Sequence, residues 1–399
     1  MQDVSLLQNR LCSLVLFRAL LKDDTVSAFL RVRPLEEIGA QEAAARAGAF
    51  VSALYKTGDN LSDYIVGLTL EDENAYIRRA AEGTLTENYE RALQTELAIL
   101  QDFCDLTAET FQAFVGLQIP LPTWQNSPVA LSDVYRRRVQ NISKIGYGIF
   151  AKHHMFSLKE GKITPVRHPD PQQLSDFSGY ESERNRIIAN TKALLNGCPC
   201  NNALLYGDAG AGKSSTVKAI VNAFKDDGLR LIEVKKNELF YLPDIMDKLA
   251  KNPLKFIIFI DDLSFAADDN DFGALKAILE GSVSGRSRNI AIYATSNRRH
   301  LVKERLSDRE GDDLHMQDTI QELTSLSARF GLKVTFMKPD KKLYLSIVKD
   351  LAKQYGITMP EEELFLKAEA HALRNGGRSP RTAKQFAEYL AYTANHEGN

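Results

Sequence analysis

The stretch GDAGAGKSS, Gly207 to Ser215, decides the fold. It fits the pattern G-x-x-x-x-G-K-[ST], with Gly207, Gly212, Lys213 and Ser214 at the fixed positions. Glycines let a backbone turn tightly, so that N–H groups along Gly207, Asp208, Ala209, Gly210, Ala211 and Gly212 can cradle phosphate oxygens. The lysine of such a loop reaches the β- and γ-phosphates, and its serine hydroxyl ligates Mg²⁺. A helix starting near Gly212 and running through Ser215 adds its positive dipole end to the same anion site.

The flanks agree with that reading. Ala203-Leu204-Leu205-Tyr206 is a short apolar run, as a buried parallel strand would be. Val217, Ile220, Val221 and Phe224 recur at helical spacing behind the loop. Further on, FIIFIDD (Phe256 to Asp262) is an apolar strand ending in two carboxylates. Asp261 at its end is placed to hold Mg²⁺ with Ser214, and Asp262 to orient or deprotonate an attacking water. The bland alternative is an aspartate pair capping a turn. AIYATSN (Ala291 to Asn297) ends likewise in polar residues, and Asn297 is either a γ-phosphate or water ligand or a turn residue.

Strand-like runs at Leu231–Val234, Phe256–Ile260, Ile290–Ala294 and Leu332–Phe336 alternate with helical patterns such as Pro243–Ala250 and Phe272–Leu279. Alternation of this kind predicts a parallel sheet covered on both faces. Helical patterns return at Lys342–Gln354, Glu361–Arg374 and Arg381–Ala394. Residues 1 to about 118 read as helical, with a capping box expected at Thr84 and Glu87. A stripe of Tyr89, Leu93, Leu97, Leu100, Cys104, Phe111, Phe114 and Val115 follows, as a core face would. Val134–Ser157 mixes Arg136, Arg137, Arg138, Lys144 and Lys152 with aromatics, which fits a nucleic-acid surface less well than a solvated helix and strand. His168–Gln172 (HPDPQ) reads as a linker and His153-His154 as a surface pair.

These motifs together resemble an AAA+ ATPase: GDAGAGKSS as Walker A, FIIFIDD as Walker B, TSN as sensor 1, LSARFG (Leu326–Gly331) as the arginine-finger box and RSPR (Arg378–Arg381) as the sensor 2 region. The run from Phe177 to Phe386, with FIIFIDDLSF, IYATSNRRHL and GGRSPRTAKQF, is also similar to bacterial AAA+ proteins carrying a domain-of-unknown-function label. The resemblance implies an α/β P-loop AAA+ parallel-sheet domain with a C-terminal helical lid, behind an N-terminal mostly α-helical domain. The implied boundaries are 1–168, 169–338 and 339–399. ATP and Mg²⁺ are the implied cofactors. Phe177 and Tyr180 would lie near the adenine, with Ile187 on the same helix. Arg329 would be the finger offered to a neighbouring subunit, and Arg381, with Arg378 as rival, would contact the γ-phosphate from the lid. Most AAA+ motors end Walker B in Asp-Glu. The Asp261-Asp262 ending is common in the initiator and helicase-loader branch.

Composition sets outer bounds. The chain has 399 residues, 44% hydrophobic and 26% charged, as in ordinary globular proteins of more than one domain. A formal net charge of −2 argues against a chain-wide electrostatic grip on nucleic acid or anionic membrane. The four cysteines are too few for a disulfide scaffold and have no zinc spacing. Leu11–Phe17 (LCSLVLF) is too short to span a membrane and reads as a buried helix. The expectation is a cytoplasmic ATPase forming a homo-oligomeric ring or filament that remodels or loads an unknown protein partner. Two alternatives stand beside it. One is an initiator-like switch on nucleic acid, using Arg286, Arg288, Arg298, Arg299, His300, Lys303 and Arg305. The other is a nucleotide-gated scaffold.

Overall fold

The computed structural model describes residues 3–263, 270–280, 287–297 and 326–396. The chain divides into two compact units, Met1–Lys152 and His153–Asn399. The first is helical among its described residues, with helices that include Ala40–Tyr55 and Glu87–Cys104. Its core is rich in rings: Phe29 packs on Phe50 and Phe103, and Trp124 meets Phe50 and Phe111 edge-on. Leu93, Leu97, Leu100, Cys104, Phe111 and Val115 are buried, so the expected stripe is a core face. The capping box is not formed. Gly83 ends the preceding helix in the left-handed region (φ 67°), and the Thr84 N–H closes back onto Arg79 O at 3.0 Å. The next helix therefore starts at Glu87 with Thr86 as its N-cap. Tyr135 is buried, and Arg138 turns inward to donate to Leu70 O at 3.2 Å. The helix that opens the basic-aromatic stretch is thus half-buried, and its main aromatic serves the core.

The second unit holds a sheet of β1 (Met155–Lys159), β2 (Lys162–Pro165), β3 (Ala203–Gly207), β4 (Leu229–Glu233), β5 (Lys255–Ile260), β6 (Ile290–Ser296) and β7 (Leu332–Phe336). The order across it is β2-β1-β4-β5-β6-β3-β7. All pairings are parallel except β1 with β2, which form an antiparallel hairpin. Strands β4 to β6 are buried along almost their whole length, as a sheet covered on both faces requires. Its helices are α1 (Glu181–Leu195), α2 (Lys213–Phe224), α3 (Leu242–Ala250) and α4 (Asn270–Glu280). The C-terminal helices α5 (Lys341–Gln354), α6 (Glu361–Arg374) and α7 (Pro380–His396) pack on one another through Tyr344, Ile347, Ala368 and Phe386.

Three expectations are corrected here. The hairpin β1–β2 belongs to this sheet, so residues 153–168 lie in the second unit and not in the N-terminal one. Segment 168–172 is no free linker: Asn222 on α2 donates to Asp170 O and Gln172 O, both at 2.8 Å. His154, read as a surface residue, is half-buried with Nε2 3.1 Å from Asn222 Oδ1.

Candidate functional site

The sheet order brings the motifs together. Strand β6 runs between β3 and β5, so Asn297 at its end falls between the phosphate-loop lysine and the β5 carboxylates. Gly207 closes β3 with φ 137°, and a Cβ built there would sit 2.0 Å from Phe336 O. Only glycine allows β7 to approach so closely. The Asp208 N–H donates to that same carbonyl at 3.0 Å, and the Asp208 carboxylate accepts the Lys338 N–H at 2.6 Å. Gly210 and Gly212 are also left-handed (φ 77° and 86°), and α2 begins at Lys213. Loop residues Ala209, Ala211, Ser214 and Ser215 line a cleft of about 290 Å³ with Asp261, Asp262, Thr295, Asn297 and Arg381.

Lys213 is 6% exposed. Its ammonium donates to Gly207 O (2.9 Å), Asp208 O (2.7 Å) and Asn297 Oδ1 (2.9 Å). Burial pushes its pKa down from the ordinary lysine value, while Asp208, Asp262 and Asp261 act in the opposite direction. All three hydrogen-bond acceptors are neutral, so a buried cation is held without a direct anionic partner. A polyphosphate would supply that partner. Ser214 Oγ donates to Asp261 Oδ1 at 2.5 Å. That pair of hard oxygens is the donor set Mg²⁺ takes when it bridges a protein to phosphate. The residues therefore fit a magnesium-bound triphosphate.

Asp262 adopts φ 52°, a left-handed conformation uncommon outside glycine. Two bonds hold it. Its N–H donates to Thr295 Oγ1 at 2.9 Å, and its Oδ1 accepts Asn297 Nδ2 at 2.8 Å. The Thr295 hydroxyl in turn donates to Asp261 Oδ1. Thr295 was not singled out from the sequence. Its signal was the polar Thr295-Ser296 pair closing an apolar run; both residues are buried in the strand.

Beyond the loop lies a second cavity of about 340 Å³, lined by Phe177, Tyr180, Arg184, Gly210–Gly212, Ser215, Ile347, Leu351 and Arg381, among others. Tyr180 caps α1 in the left-handed region. It is 8% exposed, packs on Phe336 with ring centroids 5.6 Å apart and donates to Met337 O at 2.5 Å. Burial pushes its hydroxyl up to about 12. Phe177 reaches Gly212, and one face of its ring carries the Arg184 guanidinium at 5.7 Å. Ile187 is fully buried in the core and does not line the cavity.

The two rival arginines have different partners. Arg378 is paired with Glu369 through Nε (2.9 Å) and Nη2 (2.5 Å). Arg381 lines both cavities, and its N–H donates to Gly210 O at 3.2 Å. Arg329 is on the turn before β7, at the opposite end of that strand from Phe336 and the phosphate loop. At about 3.3 Å per residue, the strand alone separates them by roughly 13 Å. Arg329 is thus not brought to the cleft of its own chain. Of the basic group considered for nucleic acid, Arg286, Arg298, Arg299, His300, Lys303 and Arg305 lie outside the described residues. Arg288 precedes β6, again away from the cleft. Among the described residues no helix is long and apolar enough to cross a membrane.

Over 118 residues the chain is 30% identical to the replication factor C large subunit of Staphylothermus marinus, covering 27% of each protein. It therefore spans about a quarter of that relative's length. Two solved structures of Thermotoga maritima RuvB, one of a point mutant and one described as a Holliday junction branch migration motor, superpose with a TM-score of 0.37 each. They are 17% and 18% identical, over 55% of this chain and 64% and 63% of theirs. The parallel strand order and the glycine-rich loop at the end of β3 agree with the α/β sheet that the sequence motifs led one to expect. Residues 151–394, more than half of the chain, match the family described as "Protein of unknown function (DUF815)", and the chain belongs to that family.

Proposed function

We propose that this protein binds ATP with Mg²⁺ in the cleft at Gly207–Ser215 and hydrolyses it within an oligomer, using the cycle to remodel or load a macromolecular partner. The observation that carries this is the buried Lys213 ammonium, held by neutral oxygens beside the Ser214–Asp261 pair. Lys213 and the loop N–H groups would bind the β- and γ-phosphates. Ser214 and Asp261 would hold the metal, which when bound neutralises charge on the phosphates. Asp262 would accept a proton from the attacking water, with Asn297 orienting both. Arg381 would reach the γ-phosphate from the lid, and Phe177 and Tyr180 would border the base. The placement of Arg329 far from its own cleft supports a finger supplied in trans, which requires a neighbour.

Calorimetric titration with Mg·ATP tests the reading. Saturable uptake by the wild type and its loss in Lys213→Ala are expected. A wild-type chain that takes up no adenine nucleotide in the presence of the metal overturns it.

A slower switch is a second reading, favoured by the bond from Asn297 that already occupies Asp262 Oδ1. The relative named for replication suggests nucleic acid as the associated polymer in that case. Salt-sensitive DNA binding that appears only with ATP supports it; none at low ionic strength removes it.

A further inference from the structure

We propose that Arg184 reads a ring nitrogen of the nucleotide base, an assignment that rests on the ATP-binding reading above. Arg184 is the fourth residue of α1 and only 6% exposed. One terminal amine, Nη2, makes its hydrogen bonds, to Phe177 O at 3.4 Å and to Glu181 Oε1 at 3.3 Å. Nε and Nη1 have no protein acceptor among the described residues. The guanidinium nevertheless lines the 340 Å³ cavity, stacked over Phe177.

A guanidinium carries five donors in a rigid fork and accepts nothing. Its spare donors are not sealed in protein, so a ligand in the cavity that Arg184 lines can engage them. Desolvation pushes this group down from the usual arginine range, only partly offset by Glu181 and Glu183. The triphosphate already has Lys213, the loop and Arg381 at the other end of the cleft. The remaining walls carry the apolar faces of Tyr180, Ile347 and Leu351, with Gln172, Asp176 and Gln354 at polar points between them. What fits there is a flat heteroaromatic ring that stacks on an apolar wall and presents in-plane acceptors. A purine does so through N1, N3 and N7.

Equilibrium titrations of the full chain decide the matter. The probes are Mg·ATP, its 1-deaza, 3-deaza and 7-deaza analogues, and inorganic tripolyphosphate. The proteins are wild type, Arg184→Met and Arg184→Lys. One deaza analogue is expected to bind the wild type about tenfold more weakly than ATP, the value of one charge-assisted hydrogen bond. Arg184→Met should lose a similar factor on ATP and nothing further on that analogue, while tripolyphosphate binds both proteins equally. If Arg184→Met loses tripolyphosphate too, its loop has collapsed, and Arg184→Lys takes its place in the same cycle. Equal ATP affinity in variant and wild type overturns the assignment. So do additive losses, or a wild type indifferent to all three analogues. A wild type that binds no Mg·ATP strikes the proposed function instead.

Discussion

The Thr295 hydroxyl is bonded to the Asp261 carboxylate on the neighbouring strand. The same oxygen accepts the Asp262 N–H at 2.9 Å, so one side chain aligns both carboxylates. Thr295→Val keeps the branched shape and removes the hydroxyl. Outer-shell groups of this kind are worth about 10–100-fold in metal affinity. Mg²⁺ titration in the presence of ATP should show at least about a tenfold weaker metal dependence in Thr295→Val, restored by Thr295→Ser. Unchanged metal dependence in the valine variant would dismiss the role.

Asp262→Asn keeps the shape and removes the base. Nucleotide affinity should stay near wild type while turnover falls by about 10²–10⁴. Phosphate release alongside calorimetry separates the two quantities. Normal turnover would move the base elsewhere.

Arg329→Ala should leave binding intact and cut turnover by about 10³–10⁵. Because the finger and its cleft belong to different subunits in this reading, mixing Arg329→Ala with Lys213→Ala should restore activity that neither has alone. Failure of the mixture to recover would remove the argument for assembly.

Gly207→Ala drives a methyl group to 2.0 Å from Phe336 O. Overpacking against backbone costs about 3 kcal/mol. The melting temperature should drop, and ATP should stabilise the variant less than the wild type. A variant melting with the wild type would mean that β7 shifts freely.

His154 titrates where stability can be followed. Burial lowers its pKa below the ordinary 6.5, with Asn222 acting in the opposite direction. The folded state therefore binds a proton less readily than the unfolded chain, and its neutral form contributes stability present above pH 6.5. That contribution should be lost as pH falls from 6.5 through the lowered folded value. Thermal melts across this window should slope, and the slope should flatten in His154→Gln. An unchanged slope would assign it to other groups.

Much of the cleft was legible because its chemistry is local. The loop glycines, Lys213, Ser214 and the Asp261-Asp262 ending each declare themselves within a few residues, and apolar runs located β3 to β7. What stayed hidden depends on distant partners. Arg378 and Arg381 look alike in sequence, and only Glu369, nine residues before Arg378, separates them by pairing with it. Arg184 lies in a helix of mixed polarity, so its burial becomes visible only when Phe177 folds over it. The hairpin β1–β2 was misassigned because its strands are short and β2 is only half apolar. Its membership in the sheet is set by β4, some seventy residues away.

That hairpin has a consequence for how copies of the chain can meet. β2 forms the outer margin of the sheet, four residues long, opening with an exposed lysine and closing with Pro165, which has no N–H to offer. A foreign strand finds little there to zip onto. Growth of the sheet from one molecule into the next is disfavoured on that side.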